Sequence, residues 1–196
     1  MLLSRWSERM EMWARIHAHT RRAKWVLAIV AFAESSVFPI PPDVLLIGIH
    51  MMKVPRWWMS ALVTTISSVL GGAFGYLIGY FFFDSVGQWI VTTYGLEDQL
   101  VRVGVLFTAN AFLAIFTAGF TPIPYKVFTI ASGFFHIQFP IFLFASILSR
   151  GARFMLVAFL ADRYGGRVAH LIFRYLDIAL IIFVVALAVA YVFSMV

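Results

Sequence analysis

Hydrophobic and polar positions alternate along this chain in long apolar runs separated by short charged stretches, and two of the runs are broken by proline. Residues 25–52 form the first broken run, apolar from Trp25 to Ile49 but interrupted by Glu34, Pro39, Pro41, Pro42 and Asp43. Prolines this close together forbid one continuous helix, because each lacks an N–H and its ring collides with the preceding turn. From Trp25 to Pro41 a helix would climb roughly 24 Å, short of a ~30 Å hydrocarbon core. Glu34 would then lie about 14 Å deep at the same rise per residue. The run is therefore a kinked span or a re-entrant hairpin that returns to its starting side. Residues 57–83 read as a full span, with Gly71, Gly75 and Gly79 on one face for close helix packing. That face serves packing within the subunit, with a homo-oligomer contact as the alternative. Residues 84–103 read as a polar loop and residues 105–136 as the second broken run, with Pro122 and Pro124. Residues 139–161 cross again, interrupted by Arg150 and Arg153, and residues 177–194 cross once more.

The two broken runs repeat each other. Aligning Pro39 with Pro122 gives an offset of 83 residues (122 − 39). At that offset Ile40, Pro41, Val44 and Ile47 meet Ile123, Pro124, Val127 and Ile130, and Asp43 meets Lys126. Two similar segments thus carry opposite charges at one position.

Composition places all of this in a membrane. The 196 residues are 62% hydrophobic and 12% charged, with a mean hydropathy of +0.92, whereas soluble domains carry roughly 25% charged residues. Helical-period runs point to α-helices rather than a barrel. With no cysteine, disulfides, thiol catalysis and Cys-ligated metals are excluded. No metal or cofactor motif is present, and the histidines His50, His136 and His170 read as interfacial. The net charge of +6 sits at the ends of apolar runs, which fits membrane orientation rather than nucleic-acid binding. Residues 1–24, rich in Arg and Trp, read as an amphipathic helix on the membrane surface. If both broken runs are re-entrant, the basic loops share one face with the N-terminus and the acidic loop lies opposite. The order inside-hairpin-inside-span-outside is then followed by its inverse, an inverted-topology repeat over residues 25–83 and 105–161. The fold expected is all-α and integral to the membrane: two re-entrant hairpins, about three spans and the surface helix. The domain covers residues 25–176, with a further span over 177–196.

The charged residues inside the runs carry the chemistry. A carboxylate at Glu34 costs roughly 2.5–3.5 kcal/mol near the bilayer centre, so it is a proton-binding site or the partner of Arg150 or Arg153. Asp43 is a second proton site or a first-turn acid favoured by the helix dipole. Lys126 opposes the dipole at a helix start and needs a carboxylate such as Asp43 or an anionic ligand. Arg150 and Arg153, three apart on one face, contact a ligand or pair structurally. Together Lys126, Arg150 and Arg153 suit a phosphate-bearing headgroup, and Glu34 and Asp43 suit protons.

The ordered set Glu34…Pro39-x-Pro41-Pro42-Asp43, Gly71-Gly-x-x-Gly75-Tyr76-x-x-Gly79, Phe120-x-Pro122 and Gly151-Ala-Arg153 resembles the DedA (VTT-domain, SNARE-associated) family, its YqaA-type branch above all. The resemblance covers residues 25–165. It implies a bacterial inner-membrane protein, not an enzyme, with a cytoplasmic N-terminus and opposed hairpins. Its members are linked to flipping or scrambling of undecaprenyl phosphate or phospholipid, with proton coupling proposed. By position Glu34 and Asp43 match the family's acidic pair. The second motif departs from Gly-Arg-Phe-x-Pro-x-x-Arg: Gly119 directly precedes Phe120, and Tyr125 stands at the last arginine position beside Lys126. The expected function is lipid transport; the alternatives are proton-coupled transport of a small ion or solute, and a non-transporting scaffold.

Overall fold

The computed structural model describes residues 20–36, 41–50, 56–82, 97–121, 123–165 and 175. The surface helix over residues 1–19, the hairpin tips Pro39 and Pro122, the loop up to residue 96, His170 and the span 177–194 lie outside the described residues. Among the described residues the regular elements are helices: α1 (Arg21–Ser36), α2 (Pro42–His50), α3 (Trp57–Phe82), α4 (Glu97–Ala109), α5 (Ala111–Phe120), α6 (Tyr125–Phe134) and α7 (Phe139–Tyr164). Two of them, α3 and α7, are long and apolar enough to cross a membrane, and a bent α4–α5 pair adds a third candidate.

Local chemistry explains the breaks. Pro42 opens α2 where its missing N–H costs nothing, and Asp43 follows in the first turn. Pro124 stands directly before α6. Gly165, at φ 81°, carries the chain out of α7 in a conformation that a side chain would strain. At Asn110 the chain bends by 81° between α4 and α5, with the Asn110 amide donating to the Leu106 carbonyl. Here the structure departs from the sequence reading. Residues 97–103 are helix rather than loop, and the second run breaks at Asn110 rather than starting at residue 105. Likewise α1 starts at Arg21, so the last residues assigned to the surface helix form its first turn.

The long helices are inside-out relative to soluble ones. Along α3, Leu62, Ile66, Leu70, Phe74, Leu77 and Phe81 are exposed, while Ser60, Thr64, Ser68, Gly71, Gly75 and Gly79 are buried. Lipid is as apolar as leucine, so burying large side chains brings little; small residues that admit close backbone contact go inside instead. The glycines show how close that contact is. A Cβ at Gly71 would fall on the Phe32 carbonyl of α1, and one at Gly79 on the Ile130 carbonyl of α6. Two buried hydroxyls of α3 are satisfied locally: Thr64 and Thr65 donate to the Ser60 and Ala61 carbonyls at 2.8 Å.

Thus α3 packs against α1, α6 and α7, and α7 also packs against α5 and α2. Two apolar cores result. One gathers Ala23 and Leu27 of α1, Leu45 to Ile49 of α2, Ala61 of α3, and Phe154 to Ala161 of α7. The other gathers Tyr76 of α3, Ala111 and Ile115 of α5, Tyr125 of α6, Ile137, and Phe142 and Ala145 of α7. Within the second, the Tyr76 hydroxyl donates to the Ile137 carbonyl at 2.7 Å, tying α3 to the turn before α7. The element bounds also recur. α2 starts at residue 42 and α6 at 125, 83 apart; α3 and α7 have 26 residues each and start 82 apart, at 57 and 139.

Candidate functional site

Between the two cores lies a band of charge. Ser68 of α3 and Arg150 of α7 each stand twelfth in their helix, and the Arg150 Nε donates to the Ser68 hydroxyl at 2.6 Å. The Arg150 Nη2 pairs with the Glu34 carboxylate and also reaches the Ser35 hydroxyl at 3.3 Å. Ser35 and Ser68 share a hydrogen bond of 2.7 Å, and Ser35 donates to Glu34 at 3.0 Å. Of the two partners that the sequence offered Glu34, the structure therefore supplies Arg150. The rings of Tyr125 and Phe154 lie 4.9 and 4.7 Å from its guanidinium carbon, within the range of cation–π attraction.

Arg153, one turn on, joins the two broken segments. Its Nε and Nη2 donate to one oxygen of Asp43 at 3.2 and 2.6 Å, and its Nη1 donates to the Phe120 carbonyl at 2.7 Å. Asp43 lies in the first turn of α2 and Phe120 closes α5, so a single guanidinium holds the start of one arm and the end of another. Asp43 pairs with Arg153 because α2 packs on α7. Lys126 lies half-buried in the first turn of α6.

Both arginines are buried, at 4% and 7% exposure, while the carboxylates keep some access, at 19% for Glu34 and 22% for Asp43. Burial on this scale demands pairing, since an uncompensated charge in low dielectric costs several kcal/mol. Not every polar atom is satisfied. The free oxygen of Asp43 and the hydroxyl of Thr121 are buried without a hydrogen-bond partner, and the buried hydroxyls of Tyr125 and Ser146 meet each other. The Tyr125 phenol also abuts Gly72, where a Cβ would stand 2.9 Å from its oxygen. Tyr125 was read from the sequence only as a departure from a motif. Its place beneath Arg150 depends on how α6 meets α7, which no local pattern reveals. Ser35 and Ser68 went unremarked because a serine in an apolar run is ordinary helix-packing material.

His50 ends α2 and is buried within the protein, at 1% exposure. His136 is exposed, in the turn between α6 and α7 at φ 51°.

Comparisons with known proteins find three uncharacterized relatives. A protein of Haemophilus influenzae, described as uncharacterized, is 42% identical over 146 residues, 74% of this chain and 75% of its own length. An uncharacterized protein of Histophilus somni is 35% identical over 152 residues, covering 78% of this chain and 79% of its own. A third, uncharacterized, from Methanocaldococcus jannaschii, is 25% identical over 122 residues, 62% of this chain and 73% of its own. No solved structure matches the chain. The VTT domain model matches residues 38–163, from just before α2 to the last turn of α7. That span includes Asp43, Arg150, Arg153 and both long helices, and the chain belongs to the VTT-domain, or DedA, family of membrane proteins.

Proposed function

We propose that this protein moves a lipid with a phosphate headgroup, undecaprenyl phosphate or a phospholipid, across the bilayer by exchanging carboxylate for phosphate on Arg150 and Arg153. The observation that carries the reading is the double pairing midway along α7, Glu34 with Arg150 and Asp43 with Arg153. A guanidinium accepts either anion with the same planar fork. Protonating a carboxylate removes the internal competitor and frees the arginine for phosphate; deprotonation returns the pair and expels the headgroup. In this scheme Glu34 and Asp43 bind protons, Arg150 and Arg153 bind the headgroup, and Lys126 adds cationic charge at the second tip.

The same reading takes the chain as an inverted repeat of two re-entrant hairpins, α1–α2 and α5–α6, over residues 25–83 and 105–161. It is supported by the two cores: the beginning of α1 and the end of α2 meet in the first, and the beginning of α5 and the turn after α6 meet in the second. The offsets of 83 and 82 residues between corresponding helix starts support it as well. The N-terminus and the basic loops then face the cytoplasm of a bacterial inner membrane.

The test is reconstitution in liposomes, with fluorescent phospholipids in one arm and undecaprenyl phosphate in the other. Glu34→Gln and Arg153→Ala should each lower the rate at least tenfold, and the proton gradient should change it. Wild-type rates in both variants would leave the ion pairs as scaffolding and end the proposal.

A further inference from the structure

The transport reading makes no use of His50. This imidazole is 1% exposed, and neither of its ring nitrogens has a hydrogen-bond partner. A neutral imidazole offers one donor and one acceptor, so two polar atoms are buried without a compensating bond. Packing against α7, α1 and α3 holds the ring there. The charge that α7 brings to it is Asp162, which is exposed, with exposed Arg163 beside it in sequence. α1 and α3 contribute Ala23, Leu27 and Ala61 to the core around α2, and carry exposed Arg22, half-buried Lys24 and exposed Arg56 at their ends.

We propose that His50 is a proton-binding latch on α2: neutral, it seats the end of α2 against α7; protonated, it leaves the core for Asp162. The inference stands on the α2–α7 contact and does not depend on what the protein moves. Its consequence reaches the charged band, because α2 carries Asp43 at its other end, clamped by Arg153. A proton taken up at His50 therefore loosens the helix that presents a carboxylate to the arginines.

The sign follows from burial. A proton on the imidazole is disfavoured in the apolar core and favoured once the ring reaches water and Asp162. The seated form is thus favoured at higher pH and loses ground as pH falls, so linkage gives more unseated α2 at pH 5.5 than at pH 7.5.

The chain has no cysteine, so Ile49→Cys provides a single reporter next to the histidine. In the full chain in nanodiscs, its thiol labelling rate is divided by that of a cysteine at exposed Arg163, which removes the pH dependence of the thiol itself. The ratio should rise severalfold from pH 7.5 to 5.5. With His50→Gln added it should be flat. Should that variant fail to fold, Asp162→Asn, at an exposed position, carries the same test by moving the midpoint to lower pH. A flat ratio in the otherwise unchanged chain, the same rise with His50→Gln, or a midpoint indifferent to Asp162→Asn overturns the latch. Lipid transport is read separately: a latch without lipid movement removes the transport reading alone.

Discussion

A buried guanidinium is the residue on which the centre of this protein turns. Arg150 holds Glu34, Ser35 and Ser68 with its edges and Tyr125 and Phe154 with its faces. Taking away one member of such a pair strands the other in low dielectric, at about 3–5 kcal/mol, whereas neutralising both costs far less. Arg150→Met should therefore lower the thermal unfolding midpoint in detergent more than the double change Glu34→Gln with Arg150→Met. Equal losses would mean that water reaches the pair freely. Tyr125 separates ring from hydroxyl. Its phenol oxygen meets the Ser146 hydroxyl, so Tyr125→Phe should cost no more than about 1 kcal/mol. Tyr125→Leu should lose the cation–π attraction, about 1–2 kcal/mol for a desolvated pair. Both are read in the same unfolding experiment.

Among elements, α3 is the one that the others are fitted to, through its glycine face. Gly79 and Gly133 bring α3 and α6 together so closely that a Cβ on either would overlap the other's backbone, Ile130 for one and Tyr76 for the other. Backbone cannot swing aside as a side chain can, so Gly79→Ala and Gly133→Ala must push the helices apart. Gly151 is a control of the same type on α7, where a Cβ would meet only the Thr65 methyl at 3.7 Å. There the added helix propensity of alanine, about 1 kcal/mol, should emerge as a gain. Unfolding midpoints should fall for the first two and hold or rise for the third. A loss at Gly151 as large as at Gly79 would refute the packing argument. The short elements follow a different rule. α2 and α6 are ordered by proline at their starts and by the partner that receives them, α7 for one and α3 for the other.

For the whole molecule, the testable statement is which ends share a side of the membrane. If both broken segments turn back, single cysteines at Arg22, Arg56 and Tyr164 label from one side and a cysteine at His136 from the other. All four positions are exposed. A cysteine at Arg56 that reacts from the side opposite to Arg22 would make α1 and α2 a crossing pair and end the inverted repeat.

Much of this was legible in the chain itself. Inside-out helices follow from composition, because apolar side chains have no reason to hide from lipid and small ones do. The bounds of α3 and α7 follow from run length, the starts of α2 and α6 from Pro42 and Pro124, and the charged residues of interest from the cost of placing them among apolar neighbours. The bend at Asn110 left no such mark. Neither proline nor glycine stands there, and α4 has a polar first turn that reads as loop. Nor could the partners be assigned. Glu34 lies 116 residues from Arg150, and Asp43 lies 110 from Arg153. Spacing places a residue along its own helix and around it. Which acid meets which arginine, and whether His50 faces water or the core, depends on where separate helices cross, and only their packing together decides that.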